Sequence, residues 1–281
     1  MLSIEKLNFS YKKKALYKDL SINFRKSHIY GLFGKNGSGK TTLLGLISGT
    51  LFSKEGKIRT LGFDPKNRET SMLSEIFYLP EQFILPELSS KNFVKLYSSF
   101  YPNFSITEYK EYSNSLEIED SKNLKNLSMG QQKKFLLAFG LACNCKLNIL
   151  DEPTNGLDIP SKSVFRRLVS SCIDETKCFI ISTHQVKDIE NIIDYVCILN
   201  NAEFVLDISL EYLSKIIEMK IQDSVSGEEL YTEAIALGQY SVIKENKSGN
   251  TSNIDMELLF NASILDNSKL QEFCKGKENE K

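Results

Sequence analysis

An apolar run, Ile29-Tyr-Gly-Leu-Phe33, leads directly into Gly34, Lys35, Asn36, Gly37, Ser38, Gly39, Lys40 and Thr41, then Thr42 and a helix-compatible stretch. The segment fits G-x-x-x-x-G-K-[ST] in the strand–turn–helix context that gives the pattern its meaning. No other feature restricts the fold as strongly. A buried strand must end, backbone N–H groups must turn inward, and a helix must begin, all between Phe33 and Thr41. At average residue frequencies the bare pattern arises by chance in roughly one chain in a hundred of this length. A Gly-rich turn that only caps a helix is therefore the weaker reading. Glycines let successive N–H groups face phosphate oxygens, and the helix start adds partial positive charge. Lys40 then reaches the β- and γ-phosphates of a nucleotide, and the Thr41 hydroxyl takes a position on Mg²⁺.

Strand patterns recur at 147–150, 178–182 and 195–199, and apolar residues at helical spacing fill 160–174 and 185–192. This alternation predicts an α/β body, a mostly parallel sheet covered by helices. Leu20, Ile22 and Phe24 alternate with polar residues, which predicts half-exposed antiparallel strands beside that sheet. Residues 84–142 break the rhythm with a helical pattern that holds Phe93, Tyr97, Phe100, Tyr101, Phe104, Tyr109 and Tyr112. We read them as an inserted helical subdomain. After about residue 204 the pattern weakens, and a Ser/Asn/Gly stretch at 247–253 precedes an amphipathic 254–265. The expected organisation is a P-loop NTPase core with an antiparallel β subdomain over 1–204, the helical subdomain at about 84–142, and a small accessory domain over 205–281.

Composition narrows the partners. A net charge of −1 gives no general attraction to nucleic acid or anionic membrane. Residues 205–281 carry 8 Lys against 14 Asp and Glu, so the preceding part is mildly basic, as a polyanion site or a solvated surface would be. No run of about 18 apolar residues offers a membrane span, and the first residues lack the pattern of a secretory signal. Six Cys lie in apolar surroundings, which reads as reduced core thiols in the cytosol.

Two further strand ends carry chemistry. Leu147-Asn-Ile-Leu150 ends in Asp151 and Glu152, and paired acids resist burial without a compensating partner. Beside a P-loop, that partner is Mg²⁺ on Asp151, while Glu152 faces the attacking water. The strand at 178–182 runs into Thr183 and His184, one of only two His. His184 is then either a structural hydrogen-bonder or part of a site at the strand ends.

With these residues in place the chain resembles the ATP-binding cassette ATPases over nearly all of 1–204. The ordered set is Tyr11 in Phe9-Ser-Tyr, the P-loop, Leu127-Ser-Met-Gly-Gln131, Leu150-Asp-Glu-Pro153, Gly156-Leu-Asp158 and Ser182-Thr-His184. The element at Leu127 resembles the family signature Leu-Ser-Gly-Gly-Gln, which other P-loop classes lack. The resemblance implies that Tyr11 stacks on adenine. Ser128 and Gly130, with Gln131 completing the motif, contact the γ-phosphate held by an opposing cassette; Ser128-x-x-Gln131 is also a capping box. Asp158 lies across the dimer interface, Glu152 acts as general base, and His184 holds γ-phosphate and water in line. Met129 replaces the first glycine of the signature. The family's metal-side Gln after the strand that enters the helical subdomain falls on Glu81 by alignment, with Gln82 beside it.

The resemblance further implies ATP and Mg²⁺ as cofactors and a second cassette, identical or different, as partner. It also implies a separate polytopic membrane permease that holds the chain on the inner face of the cell membrane. The single cassette, the Leu-Pro-Glu-Gln loop and the acidic tail are most similar to ATPases of bacterial exporter-type transporters. The competing reading is a soluble, non-transport cassette ATPase, such as a partner in metal-cluster assembly.

Overall fold

The computed structural model describes residues 1–12, 14–265 and 268–279. Strand β1 (Leu2–Tyr11) pairs antiparallel with β2 (Lys14–Phe24) and β4 (Glu55–Thr60), in the order β2-β1-β4. Leu20, Ile22 and Phe24 are buried while their neighbours are exposed, as the alternation predicts for a sheet with one wet face.

The main sheet contains β3 (His28–Phe33), β5 (Ile76–Leu79), β6 (Leu147–Asp151), β7 (Cys178–Thr183), β8 (Tyr195–Asn200) and β9 (Glu203–Ser209). Its order is β5-β6-β7-β3-β8-β9, with every pairing parallel except β8 with β9. All of β6 and β7 is buried, because helices cover both faces of a parallel sheet; hence the unbroken apolar runs. Strands β6, β7 and β3 are adjacent, and in register Asp151 sits beside Ser182 and Phe33 beside Thr183. Their carboxyl ends therefore open at one place, where ligands of such sheets bind.

Helix α1 (Lys40–Ser48) follows β3 directly, and the short α2 (Thr70–Leu73) precedes β5. The helical region is α3 (Ser90–Tyr97), α4 (Ile106–Ser115) and α5 (Met129–Ala142). Its aromatics mostly fill its own core. Phe93 packs edge-on against Phe135 and Phe139 at 5.1 and 5.3 Å and stacks on Tyr97 at 4.2 Å. Phe100, by contrast, is 60 % exposed. Phe135 is fully buried. Truncating it in Phe135→Ala is expected to cost about 3–5 kcal/mol of stability, read as a lower denaturant midpoint at unchanged slope.

Helix α6 (Ile159–Cys172) covers the sheet between β6 and β7. Residues 185–192 do not form the helix their spacing predicts. Only a 3₁₀ turn at Val186–Asp188 is present. Two ties from α6 hold it there: the Lys162 ammonium reaches both Asp188 carboxylate oxygens at 2.9 and 2.8 Å, and Arg166 donates to the Asp188 main-chain oxygen at 3.2 Å.

Beyond Ser209 come α7 (Leu210–Ile216), then β10 (Ile217–Gln222), β11 (Tyr231–Ala234) and β12 (Tyr240–Glu245) in an antiparallel sheet of order β10-β12-β11. Helices α8 (Met256–Ser263) and α9 (Lys269–Asn279) complete this unit. Strand β9 crosses the position where the expected boundary fell, because residues 203–209 pair with β8 in the main sheet. Among the described residues no helix is long and apolar enough to cross a membrane.

Candidate functional site

The turn from β3 into α1 has the form of a loop that could cradle phosphates. Gly39 has φ 113°, a left-handed value that favours glycine. A Cβ there would also meet the Tyr17 hydroxyl at 2.6 Å, and that hydroxyl donates to the Gly39 oxygen at 2.6 Å. No side chain caps α1, and its first turn holds no acid, so the leading N–H groups are free for an anion. The Lys40 ammonium is folded into the loop. It donates to the Gly34 oxygen at 2.7 Å and the Lys35 oxygen at 3.4 Å, and the residue is only 7 % exposed. Burial pulls its pKa down, while Glu152, Asp151 and Glu81 oppose that shift.

Across from the loop stand the two acids at the end of β6. Asp151 is fully buried; one carboxylate oxygen accepts from the Ser182 hydroxyl, and Oδ2 has no partner among the described residues. A buried carboxylate oxygen with an open lone pair, in a cleft shared with the Thr41 hydroxyl, suits a hydrated Mg²⁺, which takes one or two protein groups and completes its shell with water and phosphate. Glu152 is held differently. Its Oε2 accepts from the Thr183 hydroxyl at 3.1 Å, and Oε1 accepts from the His184 main-chain N–H at 3.0 Å and the His184 ring Nδ1 at 2.7 Å. The residue is 4 % exposed and its backbone has φ 48°, a conformation that a side chain with a Cβ adopts only under constraint.

A cleft of 480 Å³ joins these groups; Tyr11, Lys14, Asn36, Lys40, Thr41, Thr42, Glu81, Asp151 and Glu152 are on its wall. Tyr11 stands at the rim, half-exposed, with Phe9 edge-on at 4.9 Å and its hydroxyl sharing a 3.1 Å hydrogen bond with Thr42. An aromatic face fixed in this way is available for stacking. Glu81 lines the cleft; Gln82 is exposed and is not part of its wall.

Ser128, Gly130, Gln131 and Asp158 do not line this cleft. They form a second, exposed group. Ser128 caps α5 by accepting from the Gln131 N–H at 3.3 Å, and the Gln131 side chain accepts from the Ser128 N–H at 3.0 Å. The capping box thus sits at a helix start, the kind of helix end that can bind an anion. Gly130 is required there, since a Cβ would meet the Gly156 oxygen at 2.6 Å. Asp158 caps α6 by accepting from the Ser161 N–H at 2.8 Å, and the Lys134 ammonium lies 3.5 Å from it. Met129 is 63 % exposed beside this group, so the side chain that replaces the usual glycine points out to water and leaves the helix start open.

Sequence reasoning missed three supports of the site: Tyr17 under the loop, Ser182 on Asp151, and Lys133. The Lys133 ammonium donates to the Glu152 main-chain oxygen at 2.8 Å. A signal existed. Lys133, Leu137 and Leu141 share one helical stripe, and all three are buried.

The ABC transporter family model matches residues 17–155. The ABC transporter ATP-binding protein YtrB of Bacillus subtilis is 31 % identical over 222 residues, covering 78 % of this chain and 74 % of that protein. The lantibiotic transport ATP-binding protein SrtF of Streptococcus pyogenes is 27 % identical, covering 74 % of this chain and 90 % of SrtF. Among solved structures, an ATP-binding subunit of an ABC transporter shares the fold with a TM-score of 0.69 at 22 % identity, over 76 % of this chain and 91 % of that one. A bacterial ABC transporter cassette solved as a dimer does so at 0.66 and 20 %, over 74 % and 98 %. The chain therefore belongs to the ABC transporter family, among its ATP-binding, ATP-hydrolysing subunits.

Proposed function

We propose that the 480 Å³ cleft binds Mg-ATP and that Glu152 draws the proton from the water that attacks the γ-phosphate. The observation that carries this reading is the Glu152 carboxylate, nearly buried and held from one side by Thr183 and His184. A carboxylate fixed within reach of a positioned phosphate is what general-base hydrolysis requires. Tyr11 stacks on adenine. The loop from Gly34 to Thr42 holds the phosphates, with Lys40 on the β- and γ-oxygens. Thr41 and Asp151 hold Mg²⁺, with Glu81 as the cleft-side acid in the slot that Gln82 also competed for. When bound, Mg²⁺ supplies charge neutralisation at the phosphate oxygens. His184 keeps Glu152 and the γ-phosphate in line.

In this reading the site is completed by a second cassette. Ser128, Gly130 and Gln131 present a capped helix start at the surface. Asp158 sits at the same edge, so one copy's signature closes on the other's phosphates. The likeness to a dimeric cassette supports this arrangement. The accessory unit then starts at Leu210, after the last strand of the main sheet.

The cassette drives a separate membrane permease of exporter type, and that permease keeps it at the membrane's inner face; the likeness to YtrB and SrtF supports the transport role. The test is co-purification from detergent-solubilised membranes through a tag on this chain. A polytopic membrane protein is expected at stoichiometric level. Recovery of the chain with soluble proteins alone would favour the non-transport ATPase instead.

A further inference from the structure

Lys133 is an unusual residue to bury. It lies within α5, is 2 % exposed, and shares its stripe with the apolar Leu137 and Leu141. An ammonium is costly to take out of water unless it is paired and hydrogen-bonded. A methionine, unbranched and one atom shorter, would nearly fill that space without the cost, so packing alone does not account for the charge.

What the ammonium touches is the peptide that carries Glu152. Its Nζ donates to the Glu152 main-chain oxygen over 2.8 Å, while the Glu152 N–H donates to the Ser182 oxygen over 3.0 Å. The residue between these two anchors has φ 48°. Such a backbone persists only where its surroundings over-determine it. The side-chain bonds from Thr183 and His184 fix the carboxylate, and the two main-chain bonds fix the Cα from which it projects. Lys133 is also five positions beyond Ser128 on the same helix, so it ties the signature end of α5 to the acid at the end of β6.

We infer that Lys133 is a positioning residue for hydrolysis: it holds the Glu152 main chain in its constrained conformation and couples it to the helix that bears the signature. The inference rests on the reading of Glu152 as the base. It places Lys133 in contact with neither ATP nor water. Removing it displaces the carboxylate and leaves the phosphate cradle whole.

The test uses the full-length chain and three variants: Lys133→Met, Glu152→Gln and the two combined. In Lys133→Met the kcat for ATP hydrolysis is expected to fall roughly 10- to 100-fold, the scale of loss from a misplacement near 1 Å. The KM for ATP stays at its original value and the protein stays folded, since the buried charge removed offsets the hydrogen bond lost at the Glu152 main-chain oxygen. In single-turnover measurements the combined variant is no slower than Glu152→Gln alone, because Lys133 acts only through that residue. Three results would overturn the proposal: an unchanged kcat in Lys133→Met, a further loss in the combined variant, or a fall in kcat accompanied by a raised KM. A Glu152→Gln variant with full turnover would instead remove the base reading, whatever Lys133→Met does.

Discussion

Glu152→Gln is expected to lower steady-state ATP turnover by about 10²- to 10⁴-fold, the usual contribution of a positioned general base, with ATP binding retained. The substitution keeps the shape of the side chain. Its oxygen can still accept from the His184 N–H, as at 3.0 Å, and its amide can donate to the Thr183 hydroxyl, reversing the 3.1 Å bond that the carboxylate accepts, so the side chain keeps its place. The proton-accepting charge is what disappears. Lys40 and the α1 start, to which the proposed reading gives the phosphates, are untouched. Bound nucleotide, followed by equilibrium binding of a fluorescent ATP analogue, should therefore persist while phosphate release stops. Turnover near the original rate would remove Glu152 from the chemistry.

Lys40→Met is expected to fail earlier, at binding. In the folded chain the ammonium is 7 % exposed and already rests on the Gly34 and Lys35 oxygens, so little ordering remains to be done when a phosphate arrives. Burial draws its pKa down and the acids Glu152, Asp151 and Glu81 oppose that. An arriving triphosphate adds negative charge and favours the protonated form further. Truncating one partner of a buried, hydrogen-bonded charge pair typically costs about 2–5 kcal/mol, which corresponds to roughly 30- to several-thousand-fold weaker ATP binding. Titration calorimetry of the two variants separates the roles. Glu152→Gln binds and does not turn over; Lys40→Met scarcely binds. Equal ATP affinity in Lys40→Met and the unaltered chain would contradict the cradle assigned to it.

The parts of the fold that the sequence made legible are those where local pattern and tertiary environment coincide. Strands β3, β6 and β7 are buried on both faces, so their apolar runs are unbroken, and β2 has one wet face, so Leu20, Ile22 and Phe24 alternate. The loop at Gly34–Thr41 was legible because its geometry demands particular residue types at fixed spacing. Position 185–192 misled because helical spacing there serves to bury Val186 and Asp188 against α6 rather than to build a helix. Strand β9 was cut short because its alternating residues sit next to the weakly patterned accessory unit, and only its pairing with β8 assigns it to the main sheet. Glu81 and Gln82 are both exposed neighbours; alignment puts the slot on Glu81 with Gln82 beside it, and it is Glu81, not Gln82, that lines the cleft. Lys133 lies on the buried stripe with Leu137 and Leu141, but the hydrogen bond to a main-chain oxygen 19 residues away that explains its charge leaves no mark on the sequence.

The most direct measurement is a structure of Glu152→Gln determined with Mg-ATP. The account predicts the γ-phosphate within hydrogen-bond reach of the Lys40 ammonium, the cation between Thr41 and Asp151 Oδ2, and adenine on the Tyr11 ring. Nucleotide bound elsewhere, or a terminal phosphate that Lys40 and Asp151 both leave untouched, would contradict it.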